Sequence, residues 1–176
     1  MEGFVAQLKG RLTKRRYIGA TVFRDHAKGF IQVALLTNFT RQATIDACNE
    51  FEVLSRNMGV DVKHYHCDNG RFADNLSIEN IKQNNQSISF CRVGAHHQNG
   101  RAEKRIRDLR DSARKLLLHA ISRWPKVIYI HLWPYALRQA SHVSNMIPDN
   151  IDDNSKLERF AQINIAIKQD EELPHL

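Results

Sequence analysis

The stretch YIGATVFRDHAKGFIQVALLTN, residues 17–38, decides the fold, because it holds two segments rich in β-branched and aromatic residues. The segments, 17–24 and 30–38, are separated by a short polar turn that ends in Gly29. Runs of this composition on either side of a glycine-containing turn are typical of a β-hairpin. We therefore predict an antiparallel pair of strands at residues 17–38.

The rest of the chain alternates helical and extended patterns. Thr40 is a suitable N-cap for a helix that stops at Gly59, and apolar residues between Ala43 and Met58 recur every three or four positions. We predict strands at 60–67 and 87–93, and helices at 73–83, from near Gly100 to before Pro125, at 131–146 and around 155–161. This order predicts an α/β fold in which helices cover a mixed sheet.

The charge is positive and unevenly distributed. The 176 residues carry a net charge of +7, yet residues 148–176 hold seven acids and three bases, a net charge of −4. The remaining body is therefore strongly basic, which is typical of a protein that binds a polyanion such as nucleic acid, although a merely solvated basic surface has the same composition. We divide the chain into a basic segment at 1–16, a core-like domain at 17–147 and an acidic extension at 148–176.

Other totals limit location and redox chemistry. No apolar run approaches the ~20 residues of a membrane span, and no secretory signal is recognisable, so we expect a location in the nucleus or cytoplasm. Cys48, Cys67 and Cys91 form no CxxC pair, which favours buried thiols in a reducing compartment over a redox or metal site.

The predicted long helix has two different faces. At about 100° per residue, its apolar residues share one arc, which must face the core. Arg107, Arg110 and Arg114 lie close to Glu103 on another, exposed face. The predicted core arc comprises Ala102, Ile106, Leu109, Ala113, Leu116, Leu117 and Ala120.

Glu103 has two possible roles. It can form a solvated ion pair with Arg107, four positions later, and a carboxylate in a first helical turn also suits the helix dipole. Alternatively, it is a functional carboxylate beside a DNA-binding ridge. The residues of the helix alone leave both roles open.

A second carboxylate, Asp68, follows the predicted strand 60–67, and 34 residues separate it from Glu103. One interpretation is an Asx-type turn with Asn69 and Gly70. The other is that both acids hold Mg²⁺, a hard cation that prefers carboxylate oxygen and water and that can assist cleavage of a phosphodiester.

Three phrases carry a family resemblance: HYHCDNGRF (64–72), HHQNGRAEKRIRDLRDSARKLLLHA (96–120) and HLWPYALRQA (131–140). Together they resemble the integrase catalytic core of copia-type LTR retrotransposons, and KLERF (156–160) resembles the segment that follows that core. This family belongs to the retroviral integrase superfamily, which has a ribonuclease H-like fold. Its members use a D, D, E triad and two divalent metal ions to process and join DNA ends.

The resemblance implies roles for particular residues. Asp68 matches the second carboxylate and Glu103 the third, so both would be catalytic ligands of Mg²⁺ or Mn²⁺. Residues Gln98 to Gly100 match a mobile loop that contacts DNA. The implied nucleic-acid-binding residues are Gln98, Asn99, Gly100, Lys104, Arg107, Arg110 and Arg114.

The first aspartate of the triad has no counterpart. Asp25 matches a position away from the metals and is better interpreted as a turn residue, and Glu2 lacks the expected context. We therefore expect an integrase core truncated at both ends, with a ribonuclease H-like mixed sheet that lacks its first, central strand. The segment GFVAQL (3–8) is the only candidate to replace that strand in part.

Histidines and aromatic residues complete the inventory. His64 and His66 alternate along a predicted strand, and no paired His and Cys spacing of a zinc domain accompanies them. They are better interpreted as structural or DNA-proximal residues than as zinc ligands. We expect Trp124, Trp133 and Tyr135 to pack in the core.

The sequence thus predicts a protein of DNA integration, acting by metal-dependent polynucleotidyl transfer but defective without the first aspartate. The expected partners are DNA and further copies of the chain, without a membrane. A non-catalytic nucleic-acid-binding or dimerising remnant of a retrotransposon polyprotein is the alternative, and a generic ribonuclease H-like nuclease is a weaker one.

Overall fold

The computed structural model describes residues 3–4, 16–67, 71–90, 96–150 and 154–162, with side chains from residue 16 onward except at 71 and 96–102. The strands are β1 Gly3–Phe4, β2 Gly19–Arg24, β3 Ile31–Leu36, β4 His64–Cys67 and β5 Ser87–Phe90. The helices are α1 Arg41–Asn57, α2 Asn75–Gln83, α3 His96–Arg123, α4 Trp133–Met146 and α5 Lys156–Ala161. No helix in the described ranges is both long and apolar enough to cross a membrane.

The predicted hairpin is confirmed. Strands β2 and β3 pair antiparallel from Gly19 opposite Leu36 to Arg24 opposite Ile31. Asp25 is a turn residue, as predicted: its carboxylate accepts a hydrogen bond from the Lys28 backbone N–H, and its carbonyl accepts from Gly29 N at 3.2 Å. Gly29 has φ +75°, a left-handed conformation that a residue without Cβ adopts at little cost.

Where we expected the first strand to be missing, the structure has the two-residue strand β1. It pairs antiparallel with β2 through Gly3 opposite Thr21 and Phe4 opposite Ala20. Strands β4 and β5 form a separate parallel pair, with His64 opposite Ser87 and Cys67 opposite Phe90. The described strands thus contain both antiparallel and parallel pairs, as a mixed α/β fold requires.

Two apolar clusters lie on opposite faces of the β2–β3 hairpin. The first joins Phe23 to Phe51 of α1 and to Tyr65 of β4, and includes the buried thiols Cys48 and Cys67. The second joins Val22 and Val33 to α3 and α4. Because side chains alternate along a strand, one hairpin supplies both clusters and fixes the helices on either side.

Helix α1 follows its sequence signals closely. The Thr40 hydroxyl accepts a hydrogen bond from Ala43 N at 3.3 Å, so Thr40 is the predicted N-cap. Ala47 and Phe51 are buried, and Ala43, Leu54 and Met58 pack beside them, which confirms the predicted apolar face. Gly59, with φ +75°, follows the helix end.

Helix α5 attaches residues 154–162 to this body. Phe160 is buried and stacks on Phe30 with ring centroids 4.3 Å apart. Ser155 and Glu158 form a reciprocal capping box, and Lys156 Nζ donates to the Ser144 carbonyl at 3.1 Å. The start of the acidic extension is therefore packed against α4 and the hairpin turn.

Candidate nucleic-acid and metal site

The orientation of α3 follows from its apolar residues. Leu109, Ala113 and Leu117 are buried, and Ile106 packs partly buried beside them, against Val22 and α4. The predicted core arc is confirmed at these positions. Leu116 is 40% exposed, so its inclusion in the arc was wrong: it lies at the edge of the apolar stripe.

The predictions that Trp124 and Tyr135 pack in the core were also wrong, because both side chains are exposed. Trp133 is buried as expected, whereas Trp124 and Tyr135 are 44% and 48% exposed. Trp124 follows the last residue of α3, where Arg123 packs its guanidinium carbon 5.3 Å from the indole centroid. An aromatic at a helix end can cover a cationic side chain instead of entering the core.

The opposite face of α3 is basic and exposed. Arg107, Arg110 and Arg114 lie on the surface, as predicted, and Lys104 is exposed as well. Arg110 Nε lies 3.7 Å from Asp111 Oδ1, an exposed pair of little energetic consequence. No ion pair of Lys104, Arg107 or Arg114 exists among the described residues. Lys104, Arg107 and Arg114 therefore present positive charge to a polyanion without an ion-pair partner in the described part of the chain.

Glu103 is half-buried. It has neither the ion pair with Arg107 nor the position in the first helical turn that the solvated role requires. The structure forms no ion pair or hydrogen bond of its carboxylate within the described part of the chain, and Arg107 is not its partner. Helix α3 begins at His96, so Glu103 lies about two turns inside it, beyond the short range of the helix dipole. Its carboxylate oxygens are therefore open to a cation or a polar ligand as far as the described residues are concerned.

The predicted loop before the helix is helical instead. Gln98, Asn99 and Gly100 belong to the first turns of α3, and their side chains lie outside the described residues. Gly100 was placed at the helix start, but a glycine within a helix costs only about 1 kcal/mol, less than the packing of the following turns contributes. Lys104 is thereby also carried on a continuous helix.

Asp68 is the other predicted ligand. Strand β4 ends at Cys67, so Asp68 follows the carboxyl end of a strand that is parallel to β5. Asp68, Asn69 and Gly70 lie outside the described residues, and the structure therefore describes only Glu103 of the predicted pair. Within the described ranges there is no group of three or more His, Cys, Asp or Glu residues that could hold a metal ion.

The donor chemistry nevertheless fits a hard divalent cation. Glu103 offers carboxylate oxygens that no described residue occupies, and carboxylate and water oxygens are what Mg²⁺ prefers. Asp68 would add a second carboxylate from a separate element of the chain. The sequence holds no aspartate before Asp25. The Asp25 carboxylate itself accepts a hydrogen bond within the hairpin turn.

A hydrogen-bonded row of histidines and serines lies on the strand that leads to Asp68. His64 Nδ1 and Nε2 lie 2.7 Å from Ser87 Oγ and 2.8 Å from Ser89 Oγ, and His66 Nδ1 lies 2.9 Å from the same Ser89 Oγ. Ser87 Oγ also donates to the Lys63 carbonyl at 3.3 Å. Sequence reasoning missed this row, although the alternation in HYH and SIS on paired strands was its signal.

One assignment of protons satisfies the whole row. Ser87 uses its hydroxyl proton on the Lys63 carbonyl, so it accepts from His64 Nδ1–H. His64 Nε2 then accepts from the Ser89 hydroxyl, and Ser89 accepts from His66 Nδ1–H. This tautomer assignment is inferred from the partners. It fixes four side chains across two parallel strands.

Beneath the row, β4 is anchored by a buried polar contact. Tyr65 is 1% exposed, and its hydroxyl donates to Glu52 Oε1 of α1 at 3.0 Å. Burial raises the pKa of the Tyr65 phenol well above its usual range, with smaller contributions from Cys48 and Glu52. Burial likewise raises the pKa of the Cys48 thiol, which therefore stays protonated and unreactive.

No protein-family model matches the chain, and the search of curated proteins finds no match. Solved structures do resemble it. The integrase catalytic core domain of HTLV-2, solved with magnesium in a trimeric form, is 18% identical, with a TM-score of 0.60, and the match covers 86% of this chain and 89% of that one. Its dimeric form gives 19% identity and a TM-score of 0.58, with coverage of 82% and 86%.

The integrase catalytic core domain of BIV is also similar, at 18% identity and a TM-score of 0.59, over 80% of this chain and 84% of that one. At this level of identity the likeness concerns the fold. The mixed strands, the flanking helices and these neighbours together agree with the predicted class, and the chain has the ribonuclease H-like fold of retroviral integrase catalytic cores.

Proposed function

We propose that this chain is an integrase-core-like protein of DNA integration, of the copia type, whose ancestral reaction is metal-dependent polynucleotidyl transfer. The observation that carries the proposal is Glu103, a half-buried carboxylate without a partner among the described residues. It lies on the same helix as an exposed row of basic residues, in a fold shared with integrase cores. That arrangement suits a cation held next to a phosphodiester.

In this proposal, Asp68 and Glu103 are the ligands of Mg²⁺ or Mn²⁺. When bound, the metal would activate a water or 3′-hydroxyl and stabilise the leaving oxygen of the phosphodiester. The chain's own contribution is to hold the DNA backbone: Lys104, Arg107, Arg110 and Arg114 present cations along one face of α3. Gln98, Asn99 and Gly100 would approach the DNA at the start of the same helix.

The proposal includes a defect in catalysis. Glu2 is the only acid before Asp25, and the Asp25 carboxylate accepts a hydrogen bond within its own turn. The described residues of β1, Gly3 and Phe4, supply no carboxylate. With two of three carboxylates, the chain would bind DNA and metal without completing 3′-end processing or strand transfer.

The second candidate function is a non-catalytic DNA-binding or dimerising protein of a retrotransposon polyprotein. It is favoured by the exposed basic face of α3, which needs no metal to hold phosphate. Both candidates involve DNA and further copies of the chain in the nucleus or cytoplasm. The proposed division into a basic segment at 1–16, a core at 17–147 and an acidic extension at 148–176 serves either candidate.

A nicking and strand-transfer assay on labelled DNA with Mn²⁺ tests the proposal, with Glu103→Gln as the matched variant. We expect salt-sensitive DNA binding by both proteins and no turnover by either. Turnover that Glu103→Gln abolishes would show that another acid completes the site and would contradict the proposed defect. Failure of the unmodified chain to bind DNA would contradict the first candidate and the DNA-binding form of the second.

A further inference from the structure

The connector between α3 and α4, residues 124–132, lies in a segment of one sign of charge. From position 112 to position 148 the sequence holds five lysine and arginine residues and no aspartate or glutamate. Two of the five, Arg123 and Lys126, lie on either side of Trp124 and are exposed. Neither forms an ion pair within the ranges that the structure describes. The connector therefore carries free positive charge, which a polyanion complements.

The backbone of the connector is fixed, although several of its apolar side chains lie in solvent. Ile128 N donates to the Trp124 carbonyl at 3.0 Å, which closes a turn after α3. Ile128 and Leu132 pack, partly buried, against the second apolar cluster. Trp124, Val127 and Tyr129 are exposed between and beside these anchors. Exposed apolar side chains that lie together on a fixed backbone typically mark a binding surface.

Both exposed aromatic rings of the connector are held in place by their neighbours. The guanidinium carbon of Arg123 lies 5.3 Å from the Trp124 ring centroid. The Tyr129 ring stacks on His131, with centroids 5.5 Å apart, and its hydroxyl donates to the Lys126 carbonyl at 2.9 Å. Restrained rings lose little side-chain entropy when a ligand binds. Aromatic rings beside cations are the arrangement that stacks nucleobases and holds their phosphates.

The combination of rings and cations favours unpaired nucleotides over other occupants. A DNA duplex keeps its bases stacked inside the helix, so it offers phosphates to Lys126 but no base to Trp124 or Tyr129. A second copy of the chain in a symmetric dimer would bring the same acid-free segment against itself, and like charges oppose such a contact. A single strand of nucleic acid supplies both the negative charge and the planar rings that complement the connector.

We propose that the connector is a binding platform for single-stranded nucleic acid. Trp124 and Tyr129 stack unpaired bases, and Arg123 and Lys126 attract the phosphates of the same strand. At 1.5 Å per residue along α3, the platform lies roughly 30 Å from Glu103, so it is separate from the candidate metal site. The inference goes beyond the proposed function, because neither the metal ligands nor the basic face of α3 requires the connector.

Tryptophan fluorescence tests the stacking in the unmodified chain. The sequence holds two tryptophans, of which Trp133 is buried, so quenching by an added strand reports on the exposed Trp124. We expect a single-stranded oligothymidine to quench the emission. An abasic strand of the same length, which has the phosphates without the bases, should leave it nearly unchanged. Trp124→Phe, which keeps only Trp133, should lose the quenching. No quenching by oligothymidine, or equal quenching by both strands, would overturn the inference.

Affinities measured by anisotropy separate the platform from the basic face of α3. Tyr129→Ala should weaken binding of labelled oligothymidine by about fivefold or more and binding of a DNA duplex by less than about twofold. The control is Leu76→Ala on α2, because Leu76 is 51% exposed and Tyr129 is 52% exposed. It should leave both affinities unchanged.

Equal affinities of Tyr129→Ala and Leu76→Ala for oligothymidine would overturn the inference. The proposed function would still stand as long as the unmodified chain binds the duplex. If Tyr129→Ala fails to fold, the quenching measurement on the unmodified chain decides instead.

Sedimentation separates a nucleic-acid platform from a protein interface. The unmodified chain and Trp124→Ala should have the same oligomeric state, while Trp124→Ala binds oligothymidine more weakly. An oligomer that Trp124→Ala dissociates, without any change in affinity for oligothymidine, would overturn the inference in favour of a second copy of the chain at the connector.

Discussion

The side-chain amide of Asn145 in α4 binds both backbone polar groups of Ile31 in β3. Asn145 Oδ1 accepts from Ile31 N at 2.9 Å, and Asn145 Nδ2 donates to Ile31 O at 2.7 Å. Ser141 Oγ donates to the same carbonyl at 2.9 Å. Side chains of α4 thus make the hydrogen bonds to Ile31 that a neighbouring strand would otherwise make. Both backbone polar groups of this buried residue are satisfied.

Asn145→Ala should destabilise the fold by about 2–3 kcal/mol, because it leaves the buried Ile31 N–H without an acceptor and removes one donor to its carbonyl. Chemical denaturation measures the change in the free energy of unfolding. Gln139→Ala, at an exposed position of the same helix, is the matched control and should change it by less than about 0.5 kcal/mol. Equal effects of the two substitutions would show that the Asn145 contacts do not stabilise the sheet.

Acid should loosen α5. Hydrogen bonds from Lys156 and then Arg159 lower the pKa of the Asp149 carboxyl to about 2, and the contacts are 2.8 Å and 2.6 Å long. A lowered pKa in the folded state contributes stability above the unfolded value near 3.8, and that stability is lost as the pH falls toward 2. Melting temperatures between pH 5 and about 2 should therefore fall more steeply for the unmodified chain than for Asp149→Asn.

The matched control for this titration is Asp108→Asn, an exposed carboxylate of α3. It should leave the steepness of the acid transition unchanged. An Asp149→Asn protein that loses stability with acid as steeply as the unmodified chain would contradict the anchoring of α5 by Asp149. Because the Asp149 side chain is half exposed, the expected difference is modest.

Alkaline pH tests the buried contact beneath β4. The pKa of Tyr65 is raised, so its contribution to stability is present below the unfolded value near 10 and is lost as the pH rises beyond it. Ultraviolet absorbance should show that one of the four tyrosines ionises only when the chain unfolds. Tyr65→Phe should abolish that late step and cost about 1–3 kcal/mol, because the buried Glu52 loses a donor.

Late ionisation that persists in Tyr65→Phe would contradict this assignment. Tyr135→Phe serves as the control: Tyr135 is 48% exposed on α4, so this substitution should leave the late step in place.

The basic face of α3 should account for several DNA phosphate contacts. Arg107→Ala, Arg110→Ala and Arg114→Ala should each reduce the slope of the logarithm of affinity against the logarithm of salt concentration by about 1. Arg56→Ala, at an exposed position near the end of α1, is the control and should leave the slope unchanged. Equal slopes in all four variants would place the DNA elsewhere on the protein.

The sequence predicted most of the fold because its strongest signals are local. The hairpin at 17–38, the Thr40 cap and the apolar stripes of α1 and α3 all depend on spacing along one element. What it missed depends on pairs of elements. The Asn145 contact with Ile31 spans 114 positions, and the exposure of Leu116 and Trp124 depends on which other elements pack beside them.

The candidate site was predicted unevenly for the same reason. The exposure of Arg107, Arg110 and Arg114 follows from helical periodicity and is confirmed. The helix was predicted to begin near Gly100, which would place Glu103 in its first turn. Helix α3 begins at His96 instead, so Glu103 lies about two turns inside it. The histidine–serine row required the register of β4 against β5, and a sequence without a known partner strand does not specify that register.

The central claim is that Asp68 and Glu103 hold a divalent cation, and paramagnetic broadening by Mn²⁺ in an NMR spectrum tests it without requiring turnover. We predict that substoichiometric Mn²⁺ broadens the backbone resonances around residues 68 and 103, and that Glu103→Gln or Asp68→Asn removes the effect. Glu79→Gln, at an exposed position of α2, should leave it intact. Broadening that is absent, or that survives Glu103→Gln unchanged, would contradict the account.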